Sequence, residues 1–150
     1  MSHLQSSTFG RVDYQADEPF RLIAGLAGFP GEEMFLPVQI PEQFPLLYLQ
    51  SVLTPSLCFV ALPVTSIDPD YELSTAEELA AIGLSADTQP GKNLLCLALV
   101  CFDENGGAAA NLRAPVLVNT TTRVAVQAVR SDDRYPIRHP LGASKEESSC

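Results

Sequence analysis

Length, composition and charge place this chain among small, acidic, globular domains. Its 150 residues fit a single domain, and 46% hydrophobic with 18% charged residues is ordinary for a chain that folds around one core. The formal net charge of −9 argues against direct nucleic-acid binding, because an acidic surface repels phosphate. The same charge favours encounter with a basic protein surface.

The sequence shows no membrane or secretory segment. Residues 1–10 lack the basic and apolar regions of a signal peptide. The longest apolar run, Leu94–Phe102, is far shorter than the roughly 20 residues of a membrane helix. We therefore expect a soluble, cytoplasmic protein with no membrane partner.

The cysteines do not form a metal-binding pattern, since no C-x-x-C pair is present. A cytoplasmic chain keeps its thiols reduced. We expect Cys58, Cys96 and Cys101 to be small core residues. Cys150 is expected to be exposed.

Short apolar or alternating runs, punctuated by 12 prolines and 9 glycines, predict a chain built mainly of strands. We expect His3 to lie in a frayed start. The predicted strands are, in chain order, Thr8–Tyr14, Phe20–Ala24, Met34–Val38, Leu46–Val52, Leu57–Leu62, Leu94–Phe102, Val116–Val118 and Arg123–Val129.

Two of these runs are almost wholly apolar. Leu57–Leu62 and Leu94–Phe102 are typical of strands covered on both faces, and the second is predicted to be central. Residues 25–31 form a Gly/Pro-rich loop. Residues 103–107 predict a polar hairpin tip, and Asn119–Thr122 predicts a second hairpin turn.

One segment has the chemistry of a helix. Ser74 can cap it, Glu77 has capping-box spacing, Leu79 lies on its apolar stripe and Gly83 can end it. A single short helix gives too few crossovers for a parallel sheet. We therefore predict a mainly β, small, antiparallel, barrel-like single domain with one short helix. The domain spans residues 1–142, and residues 143–150 form a flexible tail.

Catalytic signatures are sparse. The only histidines are His3 and His139, and no nucleophile elbow, phosphate loop or calcium loop is present. We predict no enzyme activity and no cofactor. The enzyme alternative is a small barrel hydrolase or isomerase that uses His139 with Asp132 or Asp133 in a closed pocket.

Acidic residues cluster near the middle of the chain. Asp68, Asp70 and Glu72 alternate, so an extended segment would place them on one face. Glu77 and Glu78 follow in the predicted helix. The cluster predicts either a solvated acidic surface or a docking patch for a basic partner.

The second half of the chain carries a specific motif. Residues 111–119, Asn-Leu-Arg-Ala-Pro-Val-Leu-Val-Asn, resemble the N-L-x-A-P-x-x-x-N motif of the FliW family of flagellar assembly factors. Gln127 and the closing residues 135–141, Tyr-Pro-Ile-Arg-His-Pro-Leu, resemble the family pattern that follows. Residues 8–10, 25–29, 49–51 and 68–71 resemble earlier family segments in the same order.

The resemblance implies a small β-barrel-like domain with two protein partners. One partner is flagellin, and the other is CsrA, a dimeric RNA-binding translational repressor. Flagellin in the cytoplasm would occupy the protein, and export of flagellin would free it to bind CsrA. It would then relieve repression of flagellin translation allosterically, away from the RNA surface. The alternative is an export chaperone for flagellin alone.

Nine residues are candidates for partner binding. Asp70, Glu72, Glu77 and Glu78 come from the acidic cluster. Five others match the family motif, and the alternative for them is an architectural role in turns and bulges. These five are Asn111, Asn119, Gln127, Tyr135 and Arg138. The chain departs from the family at Ala27, where a proline is common.

Overall fold

The computed structural model describes residues 2–73, 76–91 and 93–141. Eleven strands run through these residues. They are β1 (Ser2–Ser6), β2 (Gly10–Tyr14), β3 (Phe20–Ile23), β4 (Met34–Val38), β5 (Leu47–Ser51), β6 (Cys58–Pro63), β7 (Leu94–Phe102), β8 (Ala108–Ala110), β9 (Val116–Asn119), β10 (Val124–Gln127) and β11 (His139–Pro140). Two short helices, α1 (Val64–Ile67) and α2 (Ala76–Ala81), lie between β6 and β7. A 3₁₀ helix spans Pro41–Gln43.

Seven strands close into a barrel. They run in the order β7-β6-β5-β4-β3-β10-β9, and β9 pairs back to β7, with Val116 beside Leu97. Every pairing around the barrel is antiparallel except that of β10 with β3. Closure removes the exposed edges that an open sheet of short strands would present. The long apolar run predicted to be central does become the strand with the most neighbours, β7.

Alternating side chains divide the interior into two layers. One face of the strands fills the barrel lumen with residues such as Phe20, Phe35 and Leu97. The opposite face of β7, β9 and β10 packs outside the barrel against the β6–β7 connection, which contributes Leu79 and Ile82. The connection therefore buries a second apolar surface that a bare barrel would expose.

The chain start is ordered, which corrects the expectation of frayed residues. β1 and β2 form an antiparallel hairpin, with Leu4 beside Val12. Leu4 is buried, and the Ser6 hydroxyl donates a hydrogen bond to Gln50 Oε1 at 2.7 Å. His3 therefore lies in a strand. A hairpin that buries one leucine leaves almost no hydrophobic periodicity, so the pattern gave no signal.

Two more strands extend the sheet beside the barrel. β8 pairs with the last residues of β7, and β11 pairs with β8. The β7–β8 turn is the predicted polar tip, in which Asp103 Oδ1 accepts the backbone N–H groups of Asn105 and Gly107. The turn between β9 and β10 is likewise a hairpin, as predicted.

The predicted fold class is confirmed, with several local corrections. A second helix, α1, lies outside the prediction. β6 is mostly half-buried rather than covered on both faces, Cys101 is exposed, and Cys58 is only half-buried. Gly83 follows α2 with a φ of +82°, as expected of a helix stop. Ser74, the tail 143–150 and Cys150 lie outside the described residues.

No helix within the described ranges is long and apolar enough to cross a membrane.

Candidate protein-binding site

Distant sequence segments meet at one end of the barrel, which we call the loop end. β3, β5 and β10 finish there, and β4, β6 and β9 begin there, because the antiparallel registers alternate strand directions. The loop end consists of residues 24–33, 52–57, 101–107, 111–115 and 128–138. Much of the sequence that resembles the FliW family lies in or beside these segments.

Gln127 ties the Gly/Pro-rich loop to the motif segment. Its Oε1 accepts the backbone N–H of Ala27 at 2.8 Å, and its Nε2 donates to the Ala114 carbonyl at 3.1 Å. Proline, which is common in the family at this position, has no backbone N–H. Ala27 therefore provides the donor of a hydrogen bond that proline could not form. Gln127 thus holds a loop that lies 100 positions before it in the chain.

Gly25 makes the same loop compact. Its φ is +69°, and a Cβ at this position would lie 2.6 Å from the Pro30 carbonyl oxygen. Only glycine fits such a close approach of two backbone segments. Leu26 is consequently buried in the barrel lumen, and Phe29 stacks edge-on against Phe59 with centroids 5.2 Å apart.

A carboxylate and a buried amide hold the neighbouring turn. Glu32 accepts hydrogen bonds from the hydroxyls of Ser51 and Thr54. Gln50 is fully buried, and its Nε2 lies within hydrogen-bond distance of three carbonyls, those of Ser51, Pro55 and Leu57. The segment Leu49-Gln50-Ser51 therefore builds the β5–β6 turn, and Gln50 also anchors the β1–β2 hairpin.

Asn111 and Asn119 both shape the backbone. Asn111 Oδ1 accepts the N–H groups of Arg113 and Ala114. Asn119 is buried at the opposite end of the barrel, where its Nδ2 donates to the Ile82 carbonyl at 2.8 Å. Its Oδ1 accepts the backbone N–H groups of Thr121 and Thr122 in the β9–β10 turn. These contacts give both asparagines an architectural role.

Tyr135 belongs to a buried cluster of aromatic rings and arginine. Its ring lies 4.2 Å from that of Tyr71, and the Arg130 guanidinium lies 4.8 Å from its centroid. Arg130 donates to both carboxylate oxygens of Asp132 and to the Glu72 carbonyl. These bonds raise the pKa of Arg130 and lower the pKa of Asp132. Burial raises the pKa of Tyr71 to about 12.

The acidic candidates line the β6–β7 connection, on the side of the barrel. Asp70 and Glu77 are exposed, and Glu78 is half-buried on α2. Glu72 is exposed, but its carboxylate pairs with Arg134 at 2.6 Å. Glu72 is therefore partly neutralised and held to the 130–135 segment.

Apolar side chains are exposed mainly at the loop end. The described residues expose six large hydrophobic side chains, and only Phe44 belongs to the opposite end. The other five, which we call the apolar rim, are Phe29, Leu53, Phe102, Val129 and Ile137. Such clustering of exposed apolar side chains is typical of an interaction surface.

Arg138 directly follows Ile137 of the apolar rim in the chain. It is exposed, and its Nη1 donates to Cys101 Sγ at 3.5 Å, a weak acceptor. It also lines an open depression of about 370 Å³ together with Asp103, Ala109 and Pro140. The guanidinium thus keeps most of its donors for a ligand.

The described geometry does not assemble the enzyme alternative. His139 lies in β11 opposite Ala110, and it makes no ion pair within the described residues. Asp132 is held by Arg130. No group of three metal-binding side chains occurs in the part of the chain that the structure describes.

The sequence did not reveal the apolar rim. Phe102 ends a run that looks fully buried, and Val129 ends a predicted strand. The signal that marks them is topological, because both lie beyond the point where the barrel closes.

The comparisons with known proteins agree with this architecture. The family model described as FliW protein matches residues 3–141. A flagellar assembly factor FliW of Shouchella clausii is 32% identical over 138 residues, covering 92% of this chain and 93% of the relative. The flagellar assembly factor FliW of Treponema pallidum is 32% identical over 146 residues, covering 96% of this chain and 94% of the relative.

A solved structure extends the agreement to the fold. The crystal structure of a flagellar assembly factor FliW superposes with a TM-score of 0.79 at 23% identity, covering 96% of this chain and 100% of that one. At this identity the likeness bears on the fold alone. The family model and the two relatives together show that the chain belongs to the FliW family.

Proposed function

We propose that this protein is a cytoplasmic flagellar assembly factor that works by binding two proteins in turn. It binds flagellin while flagellin accumulates. When export removes flagellin, the free protein binds CsrA and antagonises it allosterically, so that flagellin translation follows flagellin export. No cofactor takes part.

The observation that supports this proposal most is a closed barrel that brings several of the family-like segments to one end, where apolar side chains are exposed. Gln127, Gln50 and Glu32 fix the turns there by hydrogen bonds, and the apolar rim remains outside. A surface of this kind suits protein recognition, because preorganised contacts lose little conformational entropy on binding. The net charge of −9 also favours a basic RNA-binding protein as one partner.

The experiment is a binding and competition assay with purified components of one host. The protein should co-elute with flagellin and, separately, with CsrA on a sizing column at micromolar concentration. It should also release a flagellin-leader RNA from CsrA in a mobility-shift assay, and added flagellin should reverse that release.

Each outcome separates the alternatives. Binding to flagellin without CsrA would favour the export chaperone. Binding to neither partner at moderate salt would contradict the proposal. RNA release that requires competition for the RNA surface of CsrA would contradict the allosteric step.

A further inference from the structure

We propose that the apolar rim is the surface that holds flagellin, through a flagellin segment that presents apolar side chains beside a carboxylate. This inference rests on the proposed function. It adds the location of the surface and the chemistry of its occupant.

The distribution of exposed apolar side chains is the first argument. Phe102 is 62% exposed and Val129 is 61% exposed, and they come from segments far apart in the chain. Phe29 and Leu53 come from two further turns at the same end. Random exposure would scatter such residues over the molecule, whereas within the described ranges the opposite end contributes only Phe44.

The rigidity of the supporting turns is the second argument. The loop that bears Phe29 is fixed by Gln127 and by the close approach at Gly25. The turn that bears Leu53 is fixed by Glu32 through Ser51 and Thr54. The exposed positions of Phe29 and Leu53 are therefore fixed by hydrogen bonds and packing in the turns that bear them.

Charge gives the third argument and the chemistry of the occupant. Arg130 and Arg134 are already paired with Asp132 and Glu72. Within the described residues, Arg138 has only the sulfur contact to Cys101. Its guanidinium fork can therefore bind a carboxylate of the occupant with two parallel hydrogen bonds.

One acidic group shares the depression with Arg138. Asp103 lies there, but its Oδ1 accepts two backbone N–H groups of its own hairpin tip. The Asp103 carboxylate is thus engaged by the β7–β8 turn, and the Arg138 guanidinium remains available to bind a ligand.

The choice of flagellin over CsrA follows from the same chemistry. A filament subunit buries apolar interfaces when it assembles, so the unassembled subunit still exposes them. An RNA-binding repressor offers a basic surface, which suits the acidic β6–β7 connection better than a rim beside Arg138.

Thiol footprinting tests the location directly, because Cys101 is exposed beside Arg138. The background carries Cys58→Ser and Cys150→Ser, and Cys96 stays because it is buried. Saturating flagellin should slow maleimide labelling of Cys101 by about tenfold or more. The matched control adds Cys101→Ser and Phe44→Cys, and its labelling rate should not change.

Substitutions test the chemistry. Val129→Asp and Arg138→Glu should each weaken flagellin binding by about tenfold or more, because each replaces a group that the proposed contact uses. The matched controls are Phe44→Asp and Arg123→Glu, which change residues at the opposite end of the barrel and should stay within about twofold. Thermal unfolding and circular dichroism confirm that each variant folds.

The outcomes are distinct. Flagellin binding by the wild-type chain with unchanged Cys101 labelling would overturn this inference and leave the proposed function standing. Equal losses in the rim variants and their controls would also overturn it. Failure of the wild-type chain to bind flagellin would overturn both.

Discussion

At the end of the barrel that contains the β9–β10 turn, the buried Asn119 amide joins the turn to the Ile82 carbonyl. At the loop end, Gln127 and Gln50 perform the same kind of task for two other turns. Both ends are thus closed by amide side chains that satisfy backbone groups. Among the residues that the structure describes, only the loop end also leaves a group of large apolar side chains in solvent. The comparison separates residues that build the barrel from residues that remain available for recognition.

The largest expected effect concerns the hub of the loop end. Gln50→Ala removes a fully buried amide that serves three carbonyls and the Ser6 hydroxyl. We expect a loss of about 4 kcal/mol in the free energy of unfolding, from the cavity and the unsatisfied groups together. Urea unfolding measures it. A loss equal to that of an exposed control such as Gln5→Ala would contradict the role.

The Gly/Pro-rich loop offers a matched pair of glycines. Gly25→Ala combines left-handed strain with an overlap against the Pro30 backbone, and we expect a loss of about 3 kcal/mol. Gly28 has a similar φ of +86°, but a Cβ added there would meet open space. Gly28→Ala should therefore lower the free energy of unfolding by only about 1 kcal/mol. Thermal unfolding compares the two. Equal losses would show that the loop can relax around Gly25.

A third pair compares a buried arginine with an exposed one. Arg130→Met leaves the Glu72 carbonyl without its buried donor, and we expect a loss of about 2 kcal/mol in the free energy of unfolding. Arg134→Met removes a solvent-exposed ion pair with Glu72, which should leave stability unchanged within error. Chemical unfolding at pH 7 measures both variants. A larger loss from Arg134→Met would contradict this order.

The smallest expected effect is a pH dependence. Hydrogen bonds from Arg130 lower the pKa of Asp132 from its usual value of 3.8. The unfolded chain therefore takes up this proton first as the pH falls. The stabilisation is present above pH 3.8 and is lost as the pH falls through the folded-state pKa.

The test removes the carboxylate. Asp132→Asn should flatten the fall of stability below pH 3.8. Unfolding free energies measured at several acid pH values give the slopes. An unchanged slope in Asp132→Asn would show that the Arg130 pair persists in the unfolded chain or contributes nothing.

The sequence predicted the parts of the fold that have strong local signals. β7 was evident from its apolar run, and the end of α2 was evident from Gly83. β8 is three alanines, and β11 contains Pro140, so neither resembles a strand in isolation. Both form because they pair with β7 or with its neighbour, which no local pattern records.

The candidate site was harder to predict, for a related reason. The motif at Asn111 and Gln127 pointed to important positions, and the structure shows that these side chains organise backbone. Exposure of Val129 and Phe102 depends on where the barrel ends. Hydropathy alone cannot distinguish an apolar side chain inside the barrel from one just beyond its mouth.

Hydrogen–deuterium exchange with and without bound flagellin tests the central claim most directly. The account predicts slower exchange in residues 24–33, 101–107 and 128–138 of the complex, with residues 39–46 and 119–123 at the opposite end unchanged. Protection confined to residues 39–46 and 119–123 would contradict it.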